Sequence, residues 1–392
     1  MKKNLKPQNK KRTLIDICVI LICAAALIGG IFLARDSAPK EANPYYTVEY
    51  ELVRVTQVLF DNYTVDHEAE DVPRGSQSLN VVVLTGRFKG ETMPVTNYLG
   101  PLHEKIAKQG SVLTVTITAD SREDGFQISI VNYDFTWLLV GMLALFVIAV
   151  VIIGRKKGVM SLIGLLYSLI AIVFFLIPMW LKGYPALPLT LVCCLFITVF
   201  GFTLLGGVTK KTVSAMLGTL LCVAVSAVFA IVCGRIARVS GLTMDEAEWL
   251  LDESQMLPGV TLNVRGLFVS GIIISALGAV MDVAMSIASS VNELNEVDPT
   301  LSKKRLFTSG MNIGRDMIGT MTNTLILAFV GSSLNLMIIM FAAGMQPYQL
   351  INNDDTIMEV IRAVAGSLGL VLAVPLTAAA ASGFAKRKKE EV

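Results

Sequence analysis

Asp282 sits in "GAVMDVAMSIASS" (278–290), inside an apolar run from Gly266 to Val291 that is long enough to cross a bilayer. A carboxylate at the middle of a membrane helix costs roughly 2.5–3.5 kcal/mol on insertion scales, so it is expected to look at protein or water rather than at acyl chains. Its neighbours at helical spacing are small or polar. Gly271, Ser275, Gly278, Asp282, Ser286, Ser289 and Glu293 follow one another at steps of three or four and share one face. Small residues let a second backbone come close, and serines hydrogen-bond between helices. The following apolar run carries a similar face: "GMNIGRDMIGTMTNTLILAFVG" (310–331) puts Asn312, Asp316, Thr320 and Asn323 in line, with Arg315 beside them. With Val291 and Arg315 taken as the cytoplasmic ends, a rise of about 1.5 Å per residue takes Asp282 and Asn323 each roughly 12–14 Å into the membrane. That depth predicts that the two face each other, Thr320 close by, with Arg315 and Asp316 at the cytoplasmic mouth.

Such a set can take up a proton, hold a cation or hydrogen-bond a small polar solute in transit. The first expectation is therefore a transporter or permease with a polar site between the sixth and seventh spans. The alternative is a non-transporting scaffold or sensor, its intramembrane polar residues serving as helix–helix contacts while an external domain binds a protein partner. Enzyme chemistry finds no support. The chain has no Gly-x-Ser-x-Gly elbow, Walker loop or His-Glu-x-x-His. Asp282 and Asp316, taken as an aspartate pair, would differ in depth by roughly 10 Å. His67 and His103 are isolated, and "DHEAED" (66–71) reads as a solvated loop. All six cysteines (Cys18, Cys23, Cys193, Cys194, Cys222, Cys233) fall in apolar runs, away from any disulfide framework or zinc cluster. No catalytic residue, metal site or cofactor is expected, and no nucleic acid. The expected partners are the lipid bilayer and an ion or small solute, with a second copy or another protein left open.

The elements that must position these residues follow from composition. The chain is 54% hydrophobic and only 16% charged, where soluble domains are about a quarter charged. Apolar runs near 14–34, 136–154, 159–181, 186–207, 213–234, 266–291, 317–343 and 358–382 give about eight transmembrane helices. Lysine and arginine fix their direction. Lys2, Lys3, Lys6, Lys10, Lys11 and Arg12, then Arg155–Lys157, Lys210 and Lys211, Lys303–Arg305 and Arg315, and finally Lys386–Lys389 fall on alternate connections. The other side holds only Lys182, Arg235, Arg238, Arg265 and Arg362, of which Arg235, Arg238 and Arg362, at span ends, are expected to reach for headgroups. Both termini are thus expected in the cytoplasm, in the cell membrane of a multi-pass protein. The first run has a longer apolar core than a signal peptide and reads as an uncleaved anchor.

The expected organisation is a basic tail (1–13), a first span (14–34), an extracytoplasmic domain (35–134), a bundle of about seven helices (135–383) and a second basic tail (384–392). Residues 35–134 alternate apolar and polar positions, as in "SLNVVVLTGRFKGETMPV" and "SVLTVTITADSREDGFQISIVNY", which predicts one small all-β domain. "TGRFKGE" reads as two short strands and a turn, and "GPLHEKIAKQG" (100–110) as a surface loop or short helix. "TMDEAEWLLDESQM" (243–256) opens with a capping box and reads as a helix on the outer membrane surface, anchored by Trp249.

The motifs "GAVMDVAMSIASS" and "NIGRDMIGTMTNTLILAFVG" resemble the YibE/F family of bacterial integral membrane proteins. The resemblance runs from the external β domain through "GLLYSLIAIVFFLIP" to the end of the seventh span, with less of it in the amino tail and last span. It implies a multi-pass protein of the cytoplasmic membrane, mostly of Gram-positive bacteria. It implies no reaction and no functional residues.

Overall fold

A computed structural model of the chain describes residues 7–34, 46–68, 71–101, 103–120, 126–239 and 265–385. The surface helix expected at 243–256 lies outside them. The chain divides into two compact units, one of Lys40–Val150 and one of Met1–Pro39 with Val151–Val392.

In the first unit, five strands form one antiparallel sheet: β1 (Tyr46–Asp66), β2 (Val72–Val83), β3 (Thr92–Leu99), β4 (Val112–Asp120) and β5 (Phe126–Tyr133), in the order β3-β2-β1-β4-β5. The long β1 pairs with β4 along its first half and with β2 along its second, and its register slips twice, at Val55/Gln57 and Val58/Phe60. Such bulges bend and twist a strand, which curves this sheet over a core that includes Val53, Leu79, Val81, Val95, Leu113 and Val115. Alternation in sequence becomes alternation in burial: Met93, Val95, Asn97 and Leu99 of β3 point inward and the residues between them outward. All of "TGRFKGE" is turn rather than strand. Gly86 is required there, since its φ is +70° and a Cβ would fall 1.4 Å from the Glu51 carboxylate, which accepts a hydrogen bond from Thr85 Oγ1 at 2.5 Å.

The segment 103–108 is a loop rather than a helix, exposed at His103, Glu104, Lys105 and Lys108, with Ala107, 2% exposed, tucked against the sheet's core. Buried Gln77 holds it: the side-chain oxygen accepts from Ala107 N at 2.8 Å and Asn97 Nδ2 at 3.1 Å, while Nε2 donates to Asp61 Oδ1 at 2.7 Å and Ala107 O at 3.2 Å. Gln77→Leu strips partners from these enclosed groups, at about 1–3 kcal/mol for each one orphaned. Limited proteolysis of the full chain is expected to cut first within 100–110 in this variant and to spare that stretch in the parent.

The second unit is helical: α1 (Pro7–Ala34), α2 (Thr136–Ile170, its first part lying in the other unit), a π-helical stretch (Ala171–Leu176), α3 (Ile177–Leu181), α4 (Ala186–Gly206), α5 (Lys210–Ala237), α6 (Arg265–Val297), α7 (Lys303–Ser332), α8 (Leu334–Ala342), α9 (Pro347–Ile351) and α10 (Asp354–Phe384). Among the described residues, six helices are long and apolar enough to cross a membrane, or seven if the bent pair α7–α8 counts as one span; eight were expected. The difference arises at "GRKKG", where the 46-residue run Thr136–Leu181, counted once, is two helices joined across a kink at Arg155 (φ 48°, ψ −132°), the place of the cationic turn expected between two spans. Every side chain from Trp137 to Ala149 is exposed. The π stretch ends where Pro178 has no N–H to continue the ladder, Ile177 N–H reaching back to Ile172 O.

Asp16, Val208, Lys210, Lys303 and the end of α10 come together at one end of the bundle: Val208 N donates to Asp16 Oδ1 at 2.6 Å, and Lys210 and Lys303 donate to the carbonyls of Phe384 and Gly383 at 2.7 and 2.9 Å. Cations there also complement the α10 dipole. At the other end Lys182 Nζ donates to Leu33 O, and midway Tyr167 OH donates to Cys23 O at 3.2 Å. The helix α1 is thus tied to the bundle at three levels. Asp16→Ala removes a charge-assisted bond to a backbone amide, and a loss of about 1.5–3 kcal/mol is expected as a lower melting temperature in detergent. An intact-mass measurement of purified protein that lacked α1 would contradict its place in the bundle.

Candidate functional site

The core of the bundle is built around α6, which packs on α4, α5, α7 and α10. Ile272, Ile273, Val280, Val283, Ala284, Ile287 and Ala288 are all fully buried. What α6 leaves open is one stripe, and it is the stripe read from spacing: Gly271, Ser275, Gly278, Asp282, Ser286 and Glu293 are exposed and Ser289 is half-buried. Ser275 Oγ is turned back to Ile272 O at 3.0 Å. Asp282 has no hydrogen bond and no ion pair among the described residues.

The helix α7 starts at Ser302, whose side chain accepts from Arg305 N at 3.3 Å, after a turn in which Asp298 accepts from Thr300 N and Oγ1 at 3.0 and 2.6 Å. Those bonds hold the Asp298 carboxyl below its ordinary range. The glycine side of α7 faces α10: a Cβ on Gly314 would lie 2.2 Å from Val374 Cγ1, and one on Gly310 would lie 3.1 Å from Ala378 Cβ and 2.8 Å from Val291 Cγ2 on α6. Asn312, Arg315, Asp316, Gly319, Thr320 and Asn323 are consequently exposed. Arg315 donates to Asn312 Oδ1 at a long 3.4 Å, and Thr320 Oγ1 to Met317 O at 3.2 Å.

The expected contact between Asp282 and Asn323 is not made: both side chains are exposed and no hydrogen bond joins them. Two physical reasons account for it. The close-approach glycines commit α7 chiefly to α10. The helices also run beyond the apolar runs, α6 to Val297 and α7 from Lys303, so Arg315 does not mark the end of α7. Val291 lies beside Gly310, and nine residues onward along each antiparallel helix Asp282 comes level with Gly319 and Thr320. By the same count Asp316 and Asp282 differ in level by roughly 4–5 Å rather than roughly 10 Å, still without a bond between them.

Other residues meet in ways that spacing did not suggest. Arg362 Nη1 donates to Glu359 Oε1 at 2.5 Å, and Ser333 Oγ donates to Glu359 Oε2 at 2.8 Å. This cluster sits where α7 gives way to α8 at a bend of 54°, beside a cavity of about 350 Å³ lined mainly by apolar side chains such as Phe329, Met337 and Val360. Between α5 and α10, small residues close the tightest seam: Gly218 faces Thr377 and Gly369 faces Ser226, where a Cβ would fall 2.0 and 2.1 Å from the hydroxyls. Buried Thr219, Ser226, Ser367 and Thr377 have hydroxyls without a partner among the described residues. The four-residue spacing of Gly218, Cys222, Ser226, Ala230 and Gly234 was the available signal. Among the described residues no group of three or more His, Cys, Asp or Glu gathers as a metal site would.

A family model described as YibE/F-like protein matches residues 142–387, well over half of the chain. The matched stretch starts within α2, leaves the β sheet outside and takes in α10, so it reaches further at the carboxyl end and less far at the amino end than the motif resemblance suggested. No curated protein and no solved structure matches. By its helices and both polar motifs, the chain belongs to the YibE/F-like family.

Proposed function

We propose that this protein is a transporter of the cytoplasmic membrane that passes an ion or small polar solute along the α6 stripe, with Asp282 as the group that binds it. One observation carries the reading: between Gly271 and Ser286 the most enclosed helix of an apolar bundle leaves exposed a face of Gly, Ser and Asp. A carboxylate on such a face is a functional-site candidate by default, because lipid contact would cost roughly 2.5–3.5 kcal/mol. The bend at Ser333 adds support, since interrupted helices accompany transport sites. In this reading the basic connections and both termini lie in the cytoplasm and residues 35–134 outside. The run Thr136–Leu181 is 46 residues long, about twice what one crossing needs, and counts as two spans.

The second reading, a sensor or scaffold, is favoured by the β sheet, which has its own core and lies outside the family match. The discriminating experiment is ion and proton flux into vesicles reconstituted with the parent protein and with Asp282→Asn. No flux from the parent under any imposed gradient would leave the sensor reading standing.

A further inference from the structure

The α6 and α7 faces are both open, and they are ordered to match each other between chains. The meeting of Val291 with Gly310 fixes their relative height. From there, five residues along each helix bring Ser286 level with Arg315, and nine bring Asp282 level with Gly319 and Thr320. A rotation axis along the membrane normal preserves depth, so residues level within one chain are level between two. The charges are complementary: in the span the stripe of α6 offers the carboxylate of Asp282, and the α7 face from Asn312 onward has Arg315 as its one cation, with Asp316 next to it and Glu293 lower on α6. The open face of α5, by contrast, suits lipid, with Leu217, Leu221, Val228 and Val232 exposed.

We propose that a second copy of this chain covers the stripe. In a two-fold dimer, α6 of each copy lies against α7 of the other, so that Asp282 meets Thr320 and, about a turn toward the cytoplasm, Arg315 of its partner copy. Two-fold contacts of this kind close with two copies and need no other protein, because both complementary faces are on the same chain. Four polar faces then surround the axis, and the path of the transport reading, on which this inference builds, runs between copies rather than through one.

The test is oxidative cross-linking in native membranes of full-length copies carrying different tags. Ser289→Cys in one copy is paired with Asn312→Cys in the other, and Ser275→Cys with Ile326→Cys as a second, higher pair; Val228→Cys on the lipid side of α5 serves as control. The expected result is a species bearing both tags for both level-matched pairs, at least tenfold above the parent and the control. Failure of both pairs, a cross-link only within a doubly substituted chain, or cross-linking no greater than for Val228→Cys would overturn the dimer, whether lipid or another protein covers the stripe. Flux is read separately. Cross-linking without any flux keeps the interface and removes the transporter, whereas flux lost in Asp282→Asn without cross-linking keeps the transporter and removes the interface.

Discussion

Asp282→Asn is expected to bring flux in reconstituted vesicles down to that of protein-free vesicles, while the variant melts no lower than the parent. The two halves of this expectation have opposite signs for good reason. Asparagine keeps the size and most of the hydrogen-bonding capacity of aspartate but cannot release a proton or neutralise a cation. No group of the same chain bonds to Asp282 among the described residues, so nothing in the chain's own fold is orphaned when the charge goes, and the side-chain oxygen that asparagine keeps still accepts from Thr320 and Arg315 of the partner copy. The amide is also cheaper than the carboxylate to keep in the membrane. A purely adhesive role makes the reverse forecast. Interhelical hydrogen bonds in membranes average only about 0.6 kcal/mol, asparagine supplies them as well as aspartate, and flux, if any, would then survive. Asp282→Glu, which keeps the charge but lengthens the side chain, is expected to retain part of the flux. Thermal melts of the reconstituted proteins read beside the flux separate loss of chemistry from loss of fold.

Local periodicity made much of this legible. The strands follow from alternation, and both polar faces follow from three- and four-residue steps, because side-chain direction in helix and strand is set by backbone geometry alone. What a sequence does not record is where two helices touch. The height of Asp282 against α7 depends on Gly310 meeting Val291, and charges such as Arg315 look like a membrane boundary although α7 begins three turns earlier. Likewise Gln77 binds a segment thirty residues away through its backbone, and a side chain paired to backbone leaves no periodic trace. The pairing of Arg362 with Glu359 could have been read from their three-residue separation.

Gly314→Ala is expected to destabilise the bundle by about 1–3 kcal/mol, the range for adding a methyl group to a packed interior. The added Cβ would stand 2.2 Å from Val374 Cγ1, 2.9 Å from Cγ2 and 3.0 Å from Cβ, so no rotation of the valine clears it. Val374 is fully buried and β-branched, and Pro375 follows it, which leaves the side chain and its backbone little room to yield. Gly319→Ala is the matched control: the same helix and the same change, but no atom lies within 4 Å of the new Cβ, so stability is expected to hold or rise slightly. The pair separates packing from intrinsic helix propensity, because only the neighbour differs. It also bears on function through α7, since moving that helix off α10 displaces Arg315 and Thr320 together. Gly314→Ala should therefore lower melting temperature and flux in parallel, in contrast to Asp282→Asn, where flux falls and stability does not. Equal melting temperatures for Gly314→Ala and Gly319→Ala would mean that α7 does not rest on Val374, and the commitment of α7 to α10 would lose its footing.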